Sequence, residues 1–179
     1  VCSSDLFIIT DPVNIPTANT FLLFNHGHNL NITGNRFAGT PGLAIFFSAW
    51  NGAAGDMSVS NVLIQGNTFI SNAYLITIRS DPVGPKLVEN VNIINNQIIN
   101  TLNSGMDIEA RNIVVAGNDF QQWGSDAAHA MVWLRNPGGG YWPSTNVWIH
   151  HNRFTQRSPG VGGIAVDVAT ASDYVFIHD

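Results

Sequence analysis

The sequence predicts an all-β solenoid, on three observations. A nine-residue motif recurs five times: "NLNITGNRF" from Asn29, "NVLIQGNTF" from Asn61, "NVNIINNQI" from Asn90, "NIVVAGNDF" from Asn112 and "NVWIHHNRF" from Asn146. Inside each copy two aliphatic residues stand two apart, the period of a strand with one face buried. The second asparagines of successive copies lie 32, 29, 22 and 34 residues apart, so the shortest coil takes 22 residues and the others carry insertions. Strand, corner and strand repeated at such a period is the mark of stacked coils.

Each element of the coil follows from its residues. The aliphatic pairs of the first strand are Leu30/Ile32, Val62/Ile64, Val91/Ile93, Ile113/Val115 and Val147/Ile149. Next comes Gly34, Gly66, Asn95, Gly117 or His151, residue types that tolerate positive φ, so this position reads as a left-handed corner. The asparagines that follow, Asn35, Asn67, Asn96, Asn118 and Asn152, are expected to stack amide on amide. After the bend, Phe37, Phe69, Ile98, Phe120 and Phe154 re-enter the core. A second strand comes next in each coil, as "GLAIFF", "YLITIR", "GMDIEA", "AMVWLR" and "GGIAVDV". Its expected inward pairs are Leu43/Ile45, Ile76/Ile78, Met106/Ile108, Val132/Leu134 and Ile164/Val166.

Composition supports a folded, weakly charged domain. The 179 residues are 45% hydrophobic and 11% charged, with a net charge of -5 and Lys86 the single lysine; the mean hydropathy is +0.09. Nucleic-acid binding needs a basic face to neutralise phosphates, which this chain does not supply. No apolar run approaches a membrane span. The opening "VCSSDL" resembles a translated sequencing adapter, so residues 1–6 are set apart as a non-native scar and residues 7–179 form the predicted domain. Cys2 falls inside that segment and carries no redox inference. The final "YVFIHD" matches the start of another copy, and the chain is expected to be a piece of a longer protein, truncated at both ends.

From about residue 19 onward these units resemble the repeats of the pectin-lyase-like superfamily of right-handed parallel β-helices. The resemblance implies a right-handed single-stranded parallel β-helix of about five to six coils, and a secreted or cell-surface location. It is specific for fold and weak for activity, because that superfamily holds lyases, glycoside hydrolases, epimerases, tailspikes and adhesins. Of the polygalacturonase-type motifs (Asn-Thr-Asp, Asp-Asp, Gly-His-Gly, Arg-x-Lys), Asn103-Ser104-Gly105 is the nearest approach. Pectate-lyase-like chemistry uses calcium held by acidic clusters with an arginine base. Asp107, Glu109 and Arg135 offer such groups, which makes calcium the cofactor to consider. A tailspike-like shaft would instead imply a homotrimer. The flat Thr-x-Thr ranks of ice-binding helices are missing.

The candidate site follows from the alternation of the second strand. One outward column reads Ala44, Thr77, Asp107, Trp133, Ala165; its neighbour reads Phe46, Arg79, Glu109, Arg135, Asp167, with Arg111 just beyond. The inserts "SAWNGAAGDMSVS", "RSDPVGPKLVE" and "RNPGGGYWPST" all follow this strand, whereas the third coil has almost none. The short coil is therefore expected to leave a notch floored by Asp107 and Glu109 between loops at residues 48–60 and 136–145. The assigned catalytic groups are Asp107, Glu109 and Arg135; Arg79, Trp133, Tyr141 and Trp142 are assigned to substrate. Aromatic faces beside carboxylates and arginines suit a polysaccharide, acidic ones included. Cleavage by β-elimination would use Arg135 or Arg79 to neutralise or abstract, while Asp107 and Glu109 position substrate or hold calcium. Hydrolysis would use Asp107 and Glu109, about 7 Å apart by strand rise, as acid and base. The plain alternative is a surface ion-pair ladder on a non-catalytic shaft, each pair contributing about 0–1 kcal/mol. His151 is read as a corner residue, and His150 and His178 as an outward stack. His26 and His28 lack a third ligand nearby.

Overall fold

The chain closes into a parallel β-solenoid. The computed structural model describes residues 3–4, 8–9, 20–24, 26–39, 42–49, 58–80, 87–101, 105–123, 130–134, 144–156, 164–168 and 172–179. Sheet A holds seven strands: Ser3–Ser4, Gly27–Thr33, Val59–Gln65, Val88–Ile94, Arg111–Ala116, Thr145–His150 and Asp173–His178. Sheet B holds six: Ile8–Ile9, Arg36–Ala38, Thr68–Ile70, Gln97–Ile99, Asp119–Trp123 and Arg153–Gln156. Sheet C holds six: Thr20–Phe24, Leu43–Ser48, Tyr74–Arg79, Met106–Glu109, Ala130–Leu134 and Ile164–Val168. Every strand pairs in parallel with the same strand of the neighbouring coil, as in Val62↔Val91↔Ile113. The described residues amount to about four turns, a minor difference from the expected five to six. Ser3–Ser4, inside the segment set apart in the sequence, pair with Asn31 and Ile32.

Alternation decides what is inside. The sheet A pairs from Leu30/Ile32 to Val147/Ile149 are all buried. So are Phe37, Phe69, Ile98 and Phe120, and they belong to a sheet of their own rather than to a mere bend. Phe37 and Phe69 stack with centroids 5.0 Å apart, Phe120 and Phe154 at 4.7 Å. Offset parallel rings add to area burial. In three of the coils only three residues separate one corner from the next here, too few for periodicity to declare a strand.

The corners are where asparagine and glycine work. Gly34, Gly66, Asn95, Gly117 and His151 all take positive φ, between 53° and 67°. The next residue in each copy is the inner asparagine. Backbone N–H and Nδ2 of Asn67 both donate to Oδ1 of Asn96, at 2.9 and 3.0 Å. Nδ2 of Asn96 in turn donates to the Ile64 carbonyl (3.0 Å) and to Oδ1 of Asn118 (2.9 Å). The pattern runs from Asn35 to Asn152, so amides that would be costly to bury alone are all hydrogen-bonded. A second ladder was not foreseen. The first asparagine of every copy, Asn29, Asn61, Asn90, Asn112 and Asn146, is also left-handed, at φ 53–58°. Their side chains link outside the sheet through bonds of 2.8–3.2 Å. The register passes over this asparagine on both strands of each pair, so no strand gains a residue on its neighbour. Gly39, Ser71 and Asn100 make the corner between sheets B and C in the same way.

Candidate functional site

Sheet C carries the candidate residues, and its register corrects part of the expected arrangement. One outward column reads Phe46, Thr77, Asp107, Trp133, Asp167. The next reads Ser48, Arg79, Glu109. The three central strands stand as the sequence predicts, but the first and last are each displaced by two residues. Their inward residues are Ile45 with Phe47 and Val166 with Val168, aligned with Ile76/Ile78 and Val132/Leu134. "LAIFF" and "IAVDV" offer apolar residues at either alignment, and a two-residue slip preserves alternation, so pattern alone cannot choose. Phe46 thus heads the column of Asp107 rather than that of Glu109, and Asp167 moves into it.

The uneven connections after sheet C are present. Residues 49–58, 80–87 and 135–144 lead from sheet C back to sheet A in three coils, whereas Ala110 alone joins Met106–Glu109 to Arg111–Ala116. Gly105 opens that short coil, and a Cβ there would run into the Met131 carbonyl. Connections from sheet B to sheet C also vary in length, so the extra chain is not confined to one corner.

The carboxylates are less open than the sequence suggests. Asp107 is 8% exposed and Glu109 only 1%, while Trp133 and Asp167 are half-buried. The Arg79 guanidinium lies 3.7 Å from Asp107 Oδ2 and 5.9 Å from the centre of the Phe46 ring. A cation beside one carboxylate and over an aromatic face is well placed electrostatically. Since Arg79 is about a third exposed, that ion pair contributes at most about 1 kcal/mol. Arg135, Tyr141 and Trp142 lie outside the described residues. Arg111 belongs to sheet A instead, where its Nε donates to Glu89 Oε2 at 2.7 Å. On sheet B, Arg153 faces Asp119 at 3.9 Å.

Comparison with protein families, with curated proteins and with solved structures finds no match.

The histidines form a separate group on sheet A. His150 and His178 stack with centroids 5.1 Å apart and planes 4° apart, and His151 closes edge-on, its Nδ1 2.7 Å from Nδ1 of His150. Burial, then the charges of His151 and His178, hold the His150 imidazole below its ordinary value. Beside them Trp148 and Phe176 stack at 4.6 Å, both exposed, a pair that sequence reasoning passed over. His26 sits edge-on to His28, and Nδ1 of His28 is 2.7 Å from Ser60 Oγ. Among the described residues no three His, Cys, Asp or Glu side chains converge as ligands. Asp107 and Glu109 alone fall short of the six to eight oxygens that calcium takes.

Proposed function

We propose that this solenoid is a secreted or cell-surface protein of the pectin-lyase-like type that cleaves polysaccharide on the outer face of sheet C. The observation that carries the reading is the column Phe46–Thr77–Asp107–Trp133–Asp167, with Arg79 beside it and its central Asp107 on the coil whose return connection is a single residue. Its members are spaced by the distance between strands, about 4.8 Å, close to the length of one sugar unit. A glycan lying along the solenoid would meet one coil per residue. Trp133 supplies an apolar face for a ring, while Asp107 and Arg79 supply the charge and hydrogen bonds that fix its orientation. Carboxylates serve proton transfer at the glycosidic oxygen.

A specific observation favours a second reading. Asp107 is nearly buried and ion-paired with Arg79, as it would be in a non-catalytic glycan-binding shaft of tailspike or adhesin type. One experiment separates the two. The protein is incubated with a panel of neutral and acidic polysaccharides, and both bound polymer and new chain ends are measured. New ends lost in Asp107→Asn establish the enzyme. Binding without new ends, weakened in Trp133→Ala, establishes the shaft, and neither binding nor cleavage removes the polysaccharide reading.

A further inference from the structure

The register of sheet C moves Asp167 out of the column expected for Glu109 and into that of Asp107. Asp107 and Asp167 occupy one outward column with Trp133 between them in consecutive coils. Two strand steps separate their backbones by about 9.5 Å. Carboxyl groups about 6.5–9.5 Å apart leave room for a water molecule on the far side of a sugar ring, a range open to side chains borne on backbones so spaced. Glu109 is nearer to Asp107 along the strand but is 1% exposed, against 8% for Asp107, whereas Asp167 is half-buried. Of the three carboxylates Asp167 is the most open to a polymer, Asp107 keeps a small exposed fraction and Glu109 almost none.

Charge narrows the polymer. The face holds Asp107, Glu109 and Asp167 against Arg79, and Arg135 follows Leu134 in the sequence. Even with both arginines counted, the carboxylates outnumber the cations, in a chain whose net charge is -5. A polyuronate would bring like charge onto this face, and close like charges are costly where water is partly excluded. A neutral glycan meets no such penalty.

Resting on the polysaccharide reading above, we infer that Asp167, not Glu109, works opposite Asp107 across Trp133, and that the pair hydrolyses a neutral glycan laid along the solenoid axis. One carboxyl gives its proton to the glycosidic oxygen as the bond from C1 to that oxygen breaks. The other, ionised, takes a proton from water as the water oxygen bonds to C1 from the opposite face. One water is consumed per bond, two free sugar ends result, and the proton gained by the base returns to the acid through solvent. The anomeric configuration is inverted.

The test uses the whole chain with xylan, mixed-linkage β-glucan, polygalacturonate and alginate. The expected result is release of reducing ends from a neutral polymer. Asp167→Asn should lower kcat by about 10²-fold or more, the usual contribution of a general acid or base, with binding of the same polymer retained. It should also remove one limb of the pH–rate profile, which a purely structural role would leave in place. Asp167→Glu, which keeps the carboxyl, guards against a folding artefact and should recover part of the rate; melting curves are read for every variant. A wild-type rate in Asp167→Asn overturns the pairing while leaving cleavage standing. Turnover of the acidic polymers alone overturns the neutral assignment. If the wild type neither binds nor cuts any of the four, the inference falls together with the reading beneath it.

Discussion

Asn96 shows what a single residue does in this fold. Its side chain accepts from the backbone and amide of Asn67 and donates to Ile64 and Asn118, all within 3.0 Å and out of contact with water. Alanine there removes one side chain and leaves groups on two neighbouring coils without partners. The penalty is set by those orphans rather than by the bonds themselves. Asn96→Ala should therefore destabilise the protein by about 1–3 kcal/mol, read as a lower urea midpoint at unchanged slope. An unchanged midpoint would mean that water replaces the missing amide. The outer ladder is a contrast at the same scale: Asn61 and Asn112 are exposed, and solvent can satisfy what their amides release.

At the scale of the coil, the left-handed corner is the decisive element, and two glycines separate its parts. Gly66 and Gly117 hold equivalent corners at φ 63° and 64°. A Cβ on Gly66 would meet nothing, whereas one on Gly117 would collide with the side-chain oxygen of Asn95 in the coil below. Gly66→Ala should cost the backbone term alone, about 1–2 kcal/mol for a left-handed L-residue; Gly117→Ala should cost clearly more, seen as a lower melting temperature of the second variant. Equal melting temperatures would show that Asn95 moves aside freely. These corners were legible because positive φ selects a short list of residue types, and all five expected positions adopt it. The buried strand of sheet A was legible from period two. Sheet B was not, since three residues carry no period. The candidate site was half legible: Thr77, Asp107, Trp133, Arg79 and Glu109 share the expected face, but alignment at Phe46 and Asp167 depended on which apolar residue turns inward. Burial of Glu109 could not be read either, because it reflects what covers a strand rather than the strand's own pattern.

The whole molecule is a stack in which each coil touches only its neighbours, so its stability is approximately a sum over adjacent interfaces. Inward residues of the central coils, such as Ile64, Ile93 and Val115, are fully buried. The same column at one end is not: Ile177 is 55% exposed, and Ile164 and Val168, in the inward columns of sheet C, are also open. Apolar area still in contact with water contributes nothing to holding a strand in place, and Asp173–His178 is paired on one side within the described residues. Opening of that strand should therefore cost far less than opening of Val88–Ile94, which is flanked on both sides by complete partners. Native-state hydrogen exchange measures the difference directly, because local opening energies range from near zero for frayed elements to the global value for the core. Amides of Asp173–His178 should exchange first, those of Thr145–His150 next, and those of Val88–Ile94 last. Lengthening the stack by one further coil should then raise protection in Asp173–His178 without changing Val88–Ile94. Uniform protection across the three strands would mean that the solenoid opens as one unit, and that coupling along its axis is stronger than nearest-neighbour contact supplies.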